Sequence, residues 1–226
     1  KPLNDLMVET TKFLVGETNA RVGYTQSDEI TLVWYETNLQ TQVWFDGKIQ
    51  KMVSQLGALS TLWFNKLLGD HLPRHYALKN PTFDARVWNV PDYIEAFNCL
   101  VWRQQDALRN SVSMAAQSMF SHHELQNKSC NEMQEMMFSL RSKNWNDYED
   151  WAKSGTFVLR VKKMTKFSTE ELDKLPPKHA AHSNPDLMIE RSTLEKHYIP
   201  KLTTFDNFDK LLFISGEFNK GVKNVH

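Results

Sequence analysis

Two adjacent carboxylates, Asp28 and Glu29, are the residues of this sequence best suited to chemistry. They follow Ser27 in the stretch GYTQSDEITLVW (23–34), between two runs in which apolar or aromatic side chains alternate with polar ones. Carboxylate oxygens are the ligands that hard cations such as Mg²⁺ prefer. An acidic turn can also be nothing more than a solvated loop, and the residues alone leave both interpretations open.

The elements that must position these acids follow from the spacing of apolar residues. Alternation on both sides of the acids predicts two β-strands joined by a tight hairpin within residues 20–36. Apolar residues at helical spacing predict amphipathic helices over residues 3–17, 47–69 and 91–120. The acidic turn is therefore expected to lie in a mixed α and β domain.

Further strands and short helices are predicted downstream. The segments FDARVWNVP (83–91), GTFVLRVKKM (155–164) and KLLFISGEF (210–218) are typical of strands. Two Ser-x-x-Glu patterns predict capping boxes that start short helices. These are Ser121 with Glu124 and Ser129 with Glu132.

Composition limits the class of protein. Hydrophobic residues make up 41% of the 226 residues, with 13 Phe and 7 Trp, which is typical of a globular chain. Lys+Arg and Asp+Glu both total 27, so the net charge is zero, which excludes a uniformly basic protein but allows a local basic groove. The 2 Cys predict no disulfide framework and fit a reducing compartment. Without a membrane-length apolar run, a cytoplasmic location is expected.

The order of elements predicts an α+β fold. The strands would form an antiparallel sheet with the helices at 3–17 and 47–69 on one face, like the ferredoxin-like palm of polymerases and cyclases. Residues 1–163 would form this palm-type catalytic domain with helical insertions, and residues 164–226 a C-terminal extension of loops and a short strand. The first strand of a palm is not among the 226 residues.

Four segments occur in order and at suitable spacing. They are GYTQSDEITLVW (23–34), FDARVWNVP (83–91), WRQQDALRNS (102–111) and NWNDYEDWAKSGTFV (144–158). Each alone would be a weak signal, but together they form a specific pattern that covers most of residues 1–163. This pattern resembles the tRNA-His guanylyltransferase superfamily and especially its guanylyltransferase-like branch of 3′–5′ polymerases.

The resemblance implies nucleotide addition to the 5′ end of tRNA. The 5′ end is activated with ATP, and the 3′-hydroxyl of an incoming nucleotide attacks the activated phosphate. It also implies two Mg²⁺ ions, tRNA, ATP, GTP and other nucleoside triphosphates as ligands or substrates, and a homotetramer. Asp28 matches the family's metal-binding aspartate and Glu29 its acidic neighbour, so both are expected in catalysis and metal binding.

Other positions acquire roles through the same resemblance. Nucleotide or phosphate binding is implied for Lys1, Ser27, Arg86, Arg103 and Asn110, and tRNA binding for Lys48 and Lys51. From the residues alone, Arg86 could simply pair with Asp84. The charged residues of the 91–120 helix could likewise form an intrahelical ion-pair network, and the lysines could be the wet face of their helix.

Two departures from the family pattern affect the expected function. Leu108 in LRNSVSM (108–114) stands where eukaryotic guanylyltransferases have the His of a His-Ile-Asn-Asn-Leu-Tyr-Asn run. This favours templated repair of truncated tRNA over obligatory addition of G−1 to tRNA-His. The family's Arg-x-Asp-Gly-x-x-Phe motif, which carries the other metal-binding Asp, is missing, and we expect it on a preceding strand.

Two other functions fit part of the pattern. A catalytically inactive tRNA-binding module of the same fold would explain the missing second aspartate. A nucleotide cyclase of the palm type would explain the acidic hairpin but not WRQQDALRNS (102–111).

Overall fold

A four-stranded antiparallel sheet lies at the centre of the chain, in the order β2-β1-β3-β4. The computed structural model describes residues 1–36, 42–184, 186–199 and 201–218. The strands are β1 (Val22–Gln26), β2 (Glu29–Val33), β3 (Thr156–Lys166) and β4 (Met188–His197).

The helices occupy the segments between and around these strands. The α-helices are α1 (Pro2–Thr18), α2 (Ile49–His71), α3 (Arg74–Ala77), α4 (Tyr93–Gln117), α5 (His122–Leu125), α6 (Cys130–Arg141), α7 (Asp150–Ser154), α8 (Thr169–Leu172), α9 (Ala180–Ser183) and α10 (Asn207–Ser215). None of the helices in the described ranges is long and apolar enough to cross a membrane.

The α1 and α2 helices lie on the same face of the sheet, as the sequence predicts. Val8 and Val15 of α1 pack on Val158 of β3. Phe64 and Leu68 of α2 pack against the start of α1 and against Ile30 of β2. The two helices bury their apolar stripes against each other and against this side of the sheet.

Helices also cover the opposite face of the sheet. The predicted arrangement with helices on one face therefore holds for α1 and α2 but not for the whole fold. Tyr24 of β1 and Phe157 of β3 pack there against Phe97 of α4 and Phe213 of α10. The physical reason is visible in β3, where Thr156, Phe157, Val158 and Leu159 are all buried. Side chains point alternately to the two faces, and a strand with consecutive buried residues needs cover on both.

The prediction of a strand at 83–91 is wrong, although the alternation behind it is real. The segment is extended and alternately exposed, but it pairs with no strand of the described sheet. Phe83 packs edge-on against Phe64, with ring centroids 5.2 Å apart, while Val90 packs in the core on the α4 side. The period of two therefore marks an extended crossing from one sheet face to the other.

The C-terminal part also differs from expectation. Most of KLLFISGEF (210–218) belongs to α10, because a short apolar run fits a buried helix as well as a strand. The β4 strand was not predicted, since its mostly polar sequence MIERSTLEKH carries little strand signal, yet it pairs with β3 from Phe157 to Lys166. The predicted division at residue 163 thus lies within a strand, and residues 219–226 of the predicted extension lie outside the described residues.

Both predicted capping boxes are confirmed. In each, the serine hydroxyl accepts a hydrogen bond from the backbone N–H three residues later, and the glutamate accepts one from the serine backbone N–H. These contacts start α5 and α6, which pack on the second half of α4 through Leu125 and Met137.

His197 at the end of β4 is expected to make folding stability pH-dependent. The side chain is only 3% exposed, and neither ring nitrogen has a hydrogen-bond partner within the described ranges. Burial lowers the pKa of the imidazole. The negative charge of Glu195 raises this pKa, and the positive charge of Lys163 lowers it further. Because the unfolded chain binds the proton more readily, the free energy of unfolding should decrease as the pH falls below about 6.5.

The test is urea unfolding of the wild type and of His197→Leu between pH 8 and pH 5. The variant should lose this part of the acid sensitivity and should be more stable by about 1–3 kcal/mol, since an unsatisfied buried polar group is removed. His182→Leu, at an exposed position of α9, is the matched control and should follow the wild type. Equal acid sensitivity in wild type and His197→Leu would contradict the assignment.

Candidate functional site

The acidic turn is the tip of the β1–β2 hairpin. Gln26 pairs with Glu29, so Ser27 and Asp28 are the only two turn residues. Ser27 has a φ of 51°, and a positive φ at the first turn residue is typical of the tight turns that match the twist of a hairpin. The hydroxyl of Thr25 donates to the backbone oxygen of Glu29 over 2.9 Å. These contacts fix the direction of both acids.

The junction between α7 and β3 supports the hairpin just below its tip. The Tyr24 hydroxyl donates to the backbone oxygen of Ser154 over 2.9 Å. Burial raises the pKa of Tyr24, so the hydroxyl stays protonated and keeps donating. Gly155 follows in a backbone conformation of φ 75° and ψ −172°, which is accessible almost only to glycine. A Cβ there would lie 2.7 Å from the backbone oxygen of Thr25.

The polar side of α4 meets the hairpin at Glu29. Arg103 donates from Nη2 to Oε2 of Glu29, although the two residues are 74 positions apart in sequence. The same carboxylate oxygen accepts from Nε2 of Gln26 over 2.9 Å. The Arg103 side chain is 25% exposed and the Glu29 side chain 53%, so the pair lies at a partly solvated edge.

Asp106 gathers the rest of this helix side. Its carboxylate accepts from Arg103 and Arg109, both over 3.4 Å, and from Asn110 over 3.2 Å. Residues three and four apart on a helix lie one above the other, which explains this cluster. The intrahelical network that the sequence allowed is therefore present, and Arg103 extends it to the sheet.

The structure thus brings together the predicted site residues of the hairpin tip and those of α4. Ser27, Asp28 and Glu29 form the tip, Arg103 contacts it, and Asn110 is joined through Asp106. Lys1 directly precedes α1, and the first turns of that helix pack near Ile30 at the tip end of β2. The exposed Lys1 side chain lies at the same end of the sheet, without a described contact to the tip.

Lys48 and Lys51 lie at the other end of the hairpin. The end of α2 packs near Ile30 at the tip, whereas the turn before α2 stacks Trp44 on Trp34, with ring centroids 6.3 Å apart, at the far end of β2. Glu29 and Trp34 are five positions apart along the extended chain, a distance of roughly 17 Å. The lysines are therefore not part of the tip.

Local contacts engage these lysines and Arg86. Nζ of Lys51 lies 4.3 Å from the centroid of the Phe45 ring, and Nζ of Lys48 lies 3.8 Å from Asp46. Arg86 is highly exposed and pairs with Asp84 at 3.3 Å, as the simpler interpretation expected. Its expected role in phosphate binding stays a prediction.

Asp28 is the carboxylate at the tip that is best placed to hold a Mg²⁺ ion. Asp28 makes no hydrogen bond or ion pair with the parts of the chain that the structure describes, whereas Glu29 is engaged by Arg103 and Gln26. Mg²⁺ is commonly held by one or two carboxylates together with phosphate oxygens and water, so Asp28 fits such a site. No group of three or more His, Cys, Asp or Glu ligands occurs within the described residues.

Gln26 and Gly155 were not among the site residues predicted from the sequence, whereas Asp106 was placed on one helix face with Arg103 and Asn110. Gln26 carries only a weak signal, since its role depends on the pairing register opposite Glu29. Gly155 had a stronger one, because a glycine between a helix end and an apolar strand often marks a close backbone approach. Asp106 was visible at helical spacing from Arg103 and Asn110, but its central place required the structure.

Comparison with known proteins supports one family. Residues 1–91 match the family model described as tRNA-His guanylyltransferase, Thg1. The structure of a bacterial Thg1-like protein in complex with ATP is 36% identical, with a TM-score of 0.64, over 70% of this chain and 69% of that chain. A bacterial Thg1-like protein in complex with GTP is 28% identical, with a TM-score of 0.59, over 86% and 70% of the two chains.

Two more distant proteins share the fold or part of the sequence. The tRNA-His guanylyltransferase of Saccharomyces cerevisiae is 20% identical over 77% of this chain and 81% of that chain, and its TM-score of 0.60 shows a common fold. A protein of Acanthamoeba polyphaga mimivirus is 26% identical over 175 residues, which cover 68% of this chain. The match spans 60% of the length of the mimivirus protein. By its identity to the ATP-bound bacterial protein and its match to the family model, the chain belongs to the tRNA-His guanylyltransferase family.

Proposed function

We propose that this chain adds nucleotides to the 5′ end of tRNA in the 3′–5′ direction, under the direction of the opposite strand, and so repairs truncated 5′ ends. The observation that supports this best is the contact between Arg103 and Glu29, which joins the polar side of α4 to the hairpin tip, where the neighbouring Asp28 is exposed. Two bacterial relatives in the family have been solved with ATP and with GTP, which supports a nucleotide site.

The reaction joins two phosphate chemistries. ATP would activate a 5′-monophosphate by transferring AMP to it with release of pyrophosphate. The 3′-hydroxyl of the incoming nucleoside triphosphate would then attack the activated phosphorus, so that a phosphodiester bond forms and AMP leaves. Since both steps move charge onto phosphate oxygens, the protein must orient the reactants and supply positive charge.

The residues at the tip can share this work. Asp28 would hold Mg²⁺ together with phosphate oxygens and water. A bound Mg²⁺ ion would supply a Lewis acid that stabilises charge on those oxygens. Arg103 and Asn110 would bind phosphate oxygens from α4, and the Ser27 hydroxyl would donate from the turn. Lys1 would contribute positive charge beside the N-terminal end of α1, where the helix dipole favours anions.

The tRNA itself would need a second contact region. Lys48 and Lys51, roughly 17 Å of strand away from the tip, could bind the phosphate backbone of tRNA while its 5′ end occupies the tip. Such binding is electrostatic, so it should weaken steeply with salt. Leu108 offers no hydrogen bond to a base, and the choice of nucleotide would come from base pairing with the opposite strand.

A template exchange tests this function. The substrate is a tRNA lacking its first 5′ nucleotide, incubated with ATP, Mg²⁺ and each nucleoside triphosphate in turn. The nucleotide that is added should change to the new complement when the facing base near the 3′ end is changed. The control is the intact tRNA, in which that facing base is already paired, so no nucleotide should be added opposite it.

Two outcomes would contradict the proposal. If the same nucleotide is added whatever the facing base, the opposite strand does not direct the choice of nucleotide. Tight tRNA binding without any addition would instead favour the inactive binding module.

A further inference from the structure

We propose that Glu29 is a positioning residue that aims the Arg103 guanidinium at a nucleotide phosphate, and that it does not ligate the metal. The inference rests on the proposed function and divides the two adjacent acids between two tasks. Asp28 would meet the metal, and Glu29 would hold the cation that binds the phosphate.

The sheet geometry separates the two acids. Glu29 belongs to β2 and lies on the same face as Thr31, which pairs with Tyr24. That face is the one covered by α4. Asp28 belongs to the turn and has no ladder partner. The Glu29 carboxylate can therefore reach Arg103, while Asp28 remains available at the tip.

The contacts of Glu29 compete with metal binding. Its Oε2 atom accepts hydrogen bonds from both Arg103 and Gln26. A metal ion at the same oxygen would have to displace a guanidinium and an amide, and it would lie beside the positive charge of Arg103. Charge-assisted bonds of this kind are stronger than neutral ones, so the arrangement favours the arginine.

Arg103 is held from two sides and keeps an unused edge. Both of its ion pairs, with Glu29 from the sheet and with Asp106 from α4, use Nη2. Its Nη1 and Nε atoms make no hydrogen bond with the described part of the chain. A guanidinium presents its N–H groups as a planar fork that can bind two phosphate oxygens at once. Fixing one nitrogen would leave the other edge oriented for a ligand.

Removal of the Glu29 charge should therefore weaken nucleotide binding without changing the demand for metal. In Glu29→Gln, the dissociation constant for GTP at saturating Mg²⁺ should rise about tenfold, because Arg103 loses its anchor. The Mg²⁺ concentration for half-maximal binding, with GTP held at each variant's own dissociation constant, should stay within about twofold of the wild type. In Asp28→Asn, that Mg²⁺ midpoint should rise at least about tenfold.

The experiment is equilibrium titration of the full chain with GTP, with Glu135→Gln on the exposed side of α6 as the control variant. A double-mutant cycle adds the readout that a structural role would not give. Glu29→Gln should cause little further loss of GTP affinity when Arg103 is already Ala, since it acts through Arg103. Thermal midpoints of all variants verify that each remains folded.

Several results would overturn the inference. A Mg²⁺ midpoint that shifts as much in Glu29→Gln as in Asp28→Asn would make Glu29 a ligand. If Glu29→Gln causes its full loss of GTP affinity on the Arg103→Ala background, Glu29 does not act through Arg103. If the wild type binds neither ATP nor GTP, there is no nucleotide phosphate for Arg103 to bind. A wild type that binds GTP as expected but adds no nucleotide to tRNA would contradict the proposed function alone.

Discussion

Replacement of Asp28 by Asn is expected to reduce nucleotide addition by about 10³-fold or more, equivalent to about 4 kcal/mol of transition-state stabilisation. The amide keeps the size of the side chain but removes the charge that would hold Mg²⁺ against phosphate. The Asp28 side chain makes no hydrogen bond or ion pair with the described residues, so the loss of its charge should leave the fold unchanged. The substitution should therefore lower the rate of nucleotide addition without lowering the stability of the fold.

The measurement is the rate of addition to a 5′-truncated tRNA across a range of Mg²⁺ concentrations, together with the thermal midpoint. Asp173→Asn, which changes an exposed carboxylate just after α8, is the matched control and should retain full activity. Near-normal addition by Asp28→Asn at saturating Mg²⁺ would show that Asp28 is not the metal-binding acid.

Gly155→Ala is expected to destabilise the fold by about 3–5 kcal/mol. Its φ of 75° and ψ of −172° suit only glycine, and the new Cβ would lie 2.7 Å from both the Thr25 backbone oxygen and the Tyr24 ring. Relief of this clash requires the α7–β3 junction to move away from β1. The hairpin tip would lose its support, and nucleotide addition should decrease as well.

Urea unfolding measures this effect, and a second glycine provides the control. Gly69 lies within α2, and a Cβ added there would meet no atom within 4 Å outside its own helical turn, so Gly69→Ala should be neutral or stabilising by up to about 1 kcal/mol. If Gly155→Ala unfolds at the same urea concentration as the wild type, the close contact under the hairpin is not a constraint on the fold.

Local patterns predicted the parts of the fold that depend on local interactions. The hairpin follows from alternation around a two-residue turn, the long helices from their apolar stripes, and α5 and α6 from their capping boxes. These signals lie within a few residues of one another, so a single sequence contains them in full.

The failures required information from distant residues. The segment 83–91 alternates because it packs along a surface, and only the absence of a ladder partner in the described sheet separates it from a strand. The β4 strand was missed because its polar sequence is stabilised by pairing with β3. The site shows the same limit, since the acids of the turn were visible in the sequence but the contact of Glu29 with Arg103 was not.

The direction of nucleotide addition is the most direct test of the central claim. The substrate is a 5′-truncated tRNA whose 3′-terminal ribose has been oxidised to a dialdehyde, so that no hydroxyl remains for extension at that end. With ATP, Mg²⁺ and the complementary nucleoside triphosphate, the chain should extend this tRNA as well as the untreated one, with the new nucleotide at the 5′ end. Loss of addition on the oxidised tRNA, or a new nucleotide at the 3′ end of the untreated one, would contradict 3′–5′ polymerisation.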